Sequence, residues 1–251
     1  YFKTDEVGNA ACVAGCPPDG FSPLGQLWGN PLYNWQKLKE TNYSWWVERV
    51  RANLSTCDII RIDHFRGFEA YWAVPYGDDT AINGQWEPGP GIDLFNAIKS
   101  QLGELPIIAE DLGLMTQGVI DLREATGFPG MKILGFAFDS GEENDYLPHT
   151  YTKNCVVYTG THDNDTLIGW FQKAKEEDRQ FARDYLNSRS DDEIHWDAIR
   201  GAWSSVACMA ISPVQDFLGL GSEARINTPG VASGNWQWRL KQGVLNNELA
   251  E

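Results

Sequence analysis

Apolar residues along this chain recur at two spacings, and each spacing predicts a different kind of element. Between residues 41 and 55, Trp46, Val50 and Leu54 recur every four positions, which predicts an amphipathic helix. The segment 59–63, with the sequence IIRID, is a short apolar run beside turn-prone residues and predicts a buried strand. The first clear pattern is therefore a helix followed by a strand.

The same alternation continues to the end of the patterned region. Further helices are predicted at 92–102, 116–125, 165–186 and 198–206, and further strands at 106–110, 131–138, 155–159 and 209–212. Strands of this length between longer helices are typical of parallel βαβ units, so the predicted fold class is α/β. Five such strands are visible, whereas a (β/α)₈ barrel needs eight, and the sequence before Gly8 is too short to hold the other three.

Residues 8–34 break this alternation. They are rich in Gly, Pro and Asn and show no sustained period, so we predict a long ordered loop there. Loops of that length inside a compact domain are commonly functional.

Composition excludes several classes of function. The chain has 251 residues and a formal net charge of −15, which opposes binding to nucleic acid or to an anionic membrane surface. It has neither a run of about 18 apolar residues nor a charged-then-apolar leader. Five scattered cysteines are typical of reduced core residues in a cytoplasmic protein.

Tryptophan is unusually frequent, with 11 in the chain. Trp28, Trp86 and Trp236 stand beside Gly, Asn or Pro in turn-like sequence, where an exposed ring suits contact with a sugar. By contrast, Trp46, Trp170 and Trp203 fall in predicted helices, and we expect them in the core.

Three of the predicted strands end in, or run into, a carboxylate: Asp63, Glu110 and Asp163. Side chains at the carboxyl ends of parallel strands commonly carry catalysis. Cleavage at a sugar's anomeric carbon needs one ionised carboxylate and one carboxylic acid. Arg61 stands two residues before Asp63, which places both on the same face of the strand, and its charge favours the ionised form of Asp63. The apolar residues that precede Glu110 favour a raised pKa of its carboxyl group.

Each carboxylate also has a structural interpretation, and the pattern alone leaves both open. Asp63 can pair with Arg66, Glu110 and Asp111 can belong to a helix cap, and the segment 163–165 can be an Asx turn or an N-cap.

The chain predicts no metal site and no cofactor. Its four histidines, His64, His149, His162 and His195, are too scattered for a zinc motif. His162 and Asp163 are expected to diverge because they are adjacent. The sequence contains no P-loop, no GxSxG turn and no GxGxxG after a strand.

Six segments in order resemble the 4-α-glucanotransferases, also called amylomaltases or disproportionating enzymes, which belong to the α-amylase clan. They are VAGCPPD at 13–19, GQLWGNPLY at 25–33, RIDHFRG at 61–67, AEDLG at 109–113, THDNDT at 161–166 and NTPG at 227–230. The resemblance implies a catalytic (β/α)₈ TIM barrel, of which residues 1–251 would hold only the C-terminal part, without the N-terminal strands.

The resemblance also implies an activity and a set of site residues. The activity is transfer of α-1,4-glucan segments to a sugar 4-hydroxyl by a retaining double displacement, on maltooligosaccharide or starch-like substrates, in the cytoplasm or the plastid stroma. By motif position Asp63 is the nucleophile, Glu110 the general acid/base and Asp163 the third carboxylate. The implied substrate-binding residues are Arg61, His162, Phe21, Gln26, Trp28, Asp139 and Asn227.

One position departs from the family pattern, since Gly20 replaces an aromatic residue that many members carry after Pro-Pro-Asp. The resemblance implies that residues 8–34 form the acceptor-site region. Because Gly20 lies in this region, the preference for one acceptor over another is open. The rival functions are an α-1,4-glucan hydrolase of the same clan and a non-catalytic sugar-binding relative. The loop motif before Trp28 and the lack of a calcium-site pattern favour the transferase over the hydrolase. The presence of all three carboxylates argues against a non-catalytic sugar-binding protein.

Overall fold

A computed structural model describes residues 1–19, 22–113, 115–139 and 144–250. The chain forms two compact units, Tyr1–Gly130 and Met131–Glu251. The strands are β1 (Cys12–Cys16), β2 (Gln26–Pro31), β3 (Ile60–Ile62), β4 (Ala70–Pro75), β5 (Gln85–Pro88), β6 (Ile107–Ala109), β7 (Gly130–Ile133), β8 (Cys155–Tyr158) and β9 (Met209–Ile211).

The α-helices follow the same chain order, with short 3₁₀ turns between some of them. They are α1 (Trp35–Glu40), α2 (Ser44–Leu54), α3 (Ile92–Leu102), α4 (Gln117–Thr126), α5 (Leu167–Lys173), α6 (Glu176–Leu186), α7 (Ile194–Trp203), α8 (Val214–Phe217) and α9 (Asn247–Ala250). None of the helices in the described ranges has the length and apolar character that crossing a bilayer demands.

The first unit contains a parallel pair of strands, β3 and β6, with Ile62 opposite Ala109. All three residues of β6 are buried. A single core joins this pair to α2, α3 and α4, and Leu94, Ile98 and Val119 are among its fully buried side chains. Gly127 ends α4 in the left-handed conformation, at φ +74°, as expected of a C-terminal glycine.

A four-stranded antiparallel sheet, ordered β2-β1-β4-β5, also lies in this unit. The prediction of a loop over 8–34 was therefore wrong for β1 and β2. The strands approach each other so closely that a Cβ on Gly15 would lie 2.6 Å from the carbonyl oxygen of Gln26. The glycines that concealed the strands in the sequence are what allow this approach.

The second unit contains the sheet β7-β8-β9, in which β8 and β9 are parallel. The five predicted strands are thus present, and the α/β class is confirmed. The strand predicted over 131–138 ends at Ile133, where a 3₁₀ turn follows. The helix predicted over 165–186 is two helices, because Ala174 and Lys175 adopt extended backbone between α5 and α6. The last predicted helix, at 198–206, begins earlier, at Ile194.

The tryptophan predictions had a mixed outcome. Trp28, Trp86 and Trp236 are 42%, 44% and 55% exposed, as predicted, although the first two lie in strands β2 and β5 and not in turns. Trp46 and Trp170 pack against the cores of their units. Trp203 is 58% exposed at the end of α7, so its assignment to the core was wrong.

Candidate active site

The parallel pairing of β3 and β6 brings Asp63 and Glu110, the residues directly after the two strands, to the same edge of the sheet. Glu110 N–H donates to the Ile62 carbonyl at 2.9 Å, and Phe65 N–H donates to the Glu110 carbonyl at 3.0 Å. These bonds extend the ladder past the strand ends. Asp63 and Glu110 therefore emerge side by side, on backbone that the sheet fixes.

Glu110 lies in an environment that favours its protonated form. Burial raises the pKa of its carboxyl group, and the charge of Asp63 raises it further. Two backbone donors, His64 N–H at 2.6 Å and Leu112 N–H at 2.9 Å, oppose this shift, as does Arg61. The pKa of Glu110 is raised overall, as predicted from the apolar residues that precede it.

Asp63 has the opposite environment. Its side chain is 79% exposed, and Arg61 Nη1 lies 2.8 Å from its Oδ1. Water and a guanidinium both stabilise an ionised carboxylate. The ion pair that Asp63 makes is with Arg61, whereas the Arg66 guanidinium lies 4.3 Å from the centre of the Trp86 ring.

Strand β2 places two of the predicted substrate-binding residues beside this pair. Gln26 and Trp28 lie on one face of the strand, and Trp28 Nε1 donates to Gln26 Oε1 at 3.1 Å. The Trp28 ring makes an edge-to-face contact with His64, with ring centroids 4.9 Å apart. The exposed indole of Trp28 therefore lies against His64, the residue directly after Asp63. Phe21 and Gly20 lie outside the described residues.

His64 is a site residue that the sequence reasoning missed. It adopts the left-handed conformation, at φ +48°, and its backbone N–H is the donor to Glu110. Burial lowers the pKa of its ring, and the charge of Arg66 lowers it further. The signals in the sequence were its position directly after Asp63 and its place in the segment 61–67, RIDHFRG.

In the second unit, the loop after β8 carries Asp163 and His162. Asn227 Nδ2 donates to Asp163 Oδ1 at 2.6 Å, and Arg225 Nη2 donates to the Asp163 carbonyl at 2.6 Å. Asn227 N–H donates to the His162 carbonyl at 3.1 Å. The predicted residue Asn227 thus holds Asp163 directly, and Arg225 is a further contact that the sequence reasoning missed.

His162 and Asp163 do not diverge as expected. His162 Nε2 lies 3.4 Å from Asp163 Oδ2, because the loop turns between them. The Trp236 ring covers the imidazole, with centroids 5.2 Å apart. The helix that follows is capped by Thr166, whose hydroxyl accepts from Gly169 N–H at 3.0 Å, so Asp163 is not its N-cap.

Asp139 lies elsewhere in this unit. It is exposed and accepts from the buried Asn144 Nδ2 at 3.2 Å. That contact does not involve the loop that carries Asp163.

Comparison with known proteins identifies the family. The family model described as 4-alpha-glucanotransferase matches residues 1–246, nearly the whole chain. The chain belongs to the 4-alpha-glucanotransferase family.

Named relatives of this family agree with the match. A 4-alpha-glucanotransferase of Clostridium butyricum is 55% identical over 239 residues, which are 95% of this chain and 49% of that protein. The chloroplastic/amyloplastic 4-alpha-glucanotransferase of Arabidopsis thaliana is 49% identical over 249 residues, 99% of this chain and 43% of that protein. The chain therefore spans about half the length of the relatives that it matches.

Solved structures show the same similarity in three dimensions. The amylomaltase of Streptococcus agalactiae, determined in complex with acarbose, superposes with a TM-score of 0.94 at 40% identity, over 99% of this chain and 50% of that protein. The amylomaltase of Corynebacterium glutamicum, at 20% identity, shares the fold with a TM-score of 0.77 over 90% of this chain and 38% of that protein.

In each unit of this 4-alpha-glucanotransferase family member, the candidate site residues are carboxylates, amides and aromatic rings. Within the described ranges, no three His, Cys, Asp or Glu side chains are grouped as ligands for a metal ion. What the described residues offer is an exposed carboxylate beside a guanidinium, a carboxyl group with a raised pKa and exposed indole rings, which are groups that glycosidic chemistry uses.

Proposed function

We propose that the full-length product of the gene encoding this chain is a 4-α-glucanotransferase, which moves α-1,4-glucan segments to the 4-hydroxyl of glucose or a maltooligosaccharide. The observation that carries this proposal is the contrast between two neighbouring carboxyl groups. Asp63 is exposed beside Arg61, whereas burial raises the pKa of Glu110. A retaining double displacement requires this division between an ionised nucleophile and a protonated acid.

Each carboxyl group has a role in the proposed reaction. Asp63 attacks the anomeric carbon, forming a β-glucosyl ester while Glu110 protonates the departing oxygen. Glu110, now ionised, then takes the proton of an incoming sugar 4-hydroxyl, which attacks the ester and restores the α-linkage. Asp163 is the third carboxylate, which holds sugar hydroxyls, and His162 and Asn227 support it there.

The parallel strands support a proposal about architecture as well. We assign the chain to a (β/α)₈ barrel of which it supplies the C-terminal strands, since β3 with β6 and β8 with β9 pair in parallel, as barrel strands do. The proposed compartment is the cytoplasm, or the plastid stroma for a plant source.

Incubation of the full-length product with maltotriose tests the activity. A transferase gives glucose together with a ladder of longer maltooligosaccharides, because a sugar hydroxyl intercepts the glucosyl ester. A hydrolase gives only glucose and maltose, and a sugar-binding relative leaves maltotriose unchanged. Either of the latter two results would overturn the proposal.

Trp28→Ala is expected to shift the balance from transfer to hydrolysis. A ring beside the site favours a sugar acceptor over water, and loss of one aromatic contact worth about 1 kcal/mol corresponds to roughly a fivefold lower transfer-to-hydrolysis ratio. The ratio is measured from reducing ends released and longer products formed. Trp203→Ala is the matched control, because Trp203 is also an exposed tryptophan but lies at the end of α7. Equal ratios in the two variants would contradict the role of Trp28.

A further inference from the structure

Asp216 is a buried carboxylate that the proposed reaction does not use. It lies in α8, shortly after β9, and only 1% of it is exposed. Its Oδ2 accepts from Thr159 Oγ1 at 2.6 Å, and its Oδ1 accepts from Leu167 N–H at 2.9 Å. Both oxygens are therefore committed to donors from other segments of the chain.

These two donors stand at the two ends of one loop. Thr159 is the first residue after β8, and its N–H donates to the Ile211 carbonyl at 3.2 Å, which continues the pairing with β9. Leu167 is the first residue of α5. Between them lies the loop 160–166, which carries His162 and Asp163. Asp216 thus joins the point where the loop leaves the sheet to the point where it enters the helix.

The loop itself has a fixed internal shape. Asn164 Oδ1 accepts from the N–H and from the hydroxyl of Thr161, each at 2.8 Å, and Asn164 N–H donates back to the Thr161 carbonyl at 3.2 Å. These bonds set the turn around Asp163, but they do not set where the turn stands relative to the strand and the helix. That placement depends on the ends of the loop, together with the contacts that Arg225 and Asn227 make with Asp163.

A carboxylate in this position is costly, which argues against a purely incidental role. Burial raises the pKa of Asp216, and the two hydrogen bonds oppose that shift. An apolar residue at position 216 would avoid this desolvation penalty. The contribution of the carboxylate must therefore come from its hydrogen bonds with Thr159 Oγ1 and Leu167 N–H. Without it, the buried Leu167 N–H would lose its acceptor, at a cost of about 1–3 kcal/mol.

We propose that Asp216 is a positioning residue that joins both ends of the loop 160–166 and thereby sets the location of Asp163. The proposal rests on the proposed function only in the role given to Asp163. A displacement of about 1 Å in a catalytic group can lower the rate about 10²-fold. The expected signature is therefore a loss in kcat that is larger than any rise in KM.

Three variants of the full-length protein separate the two ends of the loop. Asp216→Ala removes both contacts, and Thr159→Val removes only the one at the strand end. Asp216→Asn is the conservative variant, since its amide oxygen still accepts from Leu167 N–H and its NH₂ can donate to Thr159 Oγ1. The matched control is Asp197→Ala, because Asp197 is also a poorly exposed carboxylate of this unit but pairs with Arg200 on α7.

Two measurements are made well below the unfolding midpoint of the least stable variant. We expect Asp216→Ala to lower kcat for maltotriose about 10²-fold, Thr159→Val to lower it less, and Asp216→Asn to recover about 10-fold of the loss. Amide hydrogen exchange at 160–167 should accelerate in Asp216→Ala and Thr159→Val but not in Asp197→Ala. If Asp216→Ala does not fold, the other two variants still give both readouts.

The outcomes distinguish this inference from the proposed function. Failure of the wild-type protein to elongate maltotriose would refute the function, and the exchange data would still decide whether Asp216 holds the loop. If wild-type protein is active but Thr159→Val and Asp216→Ala match Asp197→Ala in kcat, Asp216 does not position the site. Unchanged exchange at 160–167 would refute the inference directly.

Discussion

Replacing Asp63 by Asn is expected to lower turnover of maltotriose by about 10⁴-fold or more, because the amide cannot form the glucosyl ester. Since the Asp63 side chain is 79% exposed, we expect the unfolding free energy to change by no more than about 0.5 kcal/mol. Product formation over time and the thermal unfolding midpoint together measure these two effects.

The control for this prediction is Asp58→Asn, because Asp58 is an exposed carboxylate just before β3. It should retain wild-type activity. Addition of azide to Asp63→Gly with an α-glucosyl fluoride donor should yield the β-glucosyl azide, since azide then attacks from the face that Asp63 occupied. Retained turnover in Asp63→Asn, or an α-azide from the Gly variant, would remove Asp63 from the nucleophile's role.

Replacing Glu110 by Gln is expected to affect both activity and stability. Loss of the acid/base should lower turnover of maltotriose about 10²- to 10⁴-fold. Glu110 accepts one backbone N–H on each oxygen, and Gln has only one acceptor, so either His64 N–H or Leu112 N–H loses its partner. The expected loss in unfolding free energy is about 1–3 kcal/mol, measured by denaturant unfolding.

The raised pKa of Glu110 gives this prediction a pH signature. Because the acid must be protonated, donor cleavage should fall as pH rises through the pKa of Glu110, which lies above the ordinary value of 4.5. The folded state binds this proton more tightly than the unfolded state, so the associated stability is present below pH 4.5 and is lost as pH rises through the folded pKa.

The control here is Glu104→Gln, since Glu104 is 89% exposed and pairs with Lys99. It should keep both the pH profile and the stability of the wild type. With an α-glucosyl fluoride donor, whose leaving group needs no proton, Glu110→Gln should release fluoride rapidly and, with azide, form the α-glucosyl azide. A wild-type pH profile in Glu110→Gln would show that another group is the acid.

Much of the architecture followed from patterns within single segments. The spacing of Trp46, Val50 and Leu54 predicted α2, because burial of one helix face imposes a period on the sequence. The apolar runs predicted β3 and β6, because a strand that is covered on both faces is continuously apolar. Strands β1 and β2 were missed because their glycines serve a close backbone approach to a neighbouring strand, which no local period records.

The tryptophans show the same limit in another form. Neighbouring Gly, Asn and Pro residues correctly marked Trp28, Trp86 and Trp236 as exposed. The exposure of Trp203 depends on what packs against the end of α7, and helical spacing does not contain that information.

The sequence by itself determined the α/β class, the positions of Asp63, Glu110 and Asp163 after strands, and the resemblance to one family. Only the tertiary structure decided what surrounds them: the left-handed His64 that donates to Glu110, the Asn227 amide on Asp163, and the buried Asp216 between Thr159 and Leu167. The physical reason is distance along the chain. Periodicity and strand ends are local properties, whereas these contacts join residues 46 to 64 positions apart, and only the folded backbone brings them within hydrogen-bonding reach.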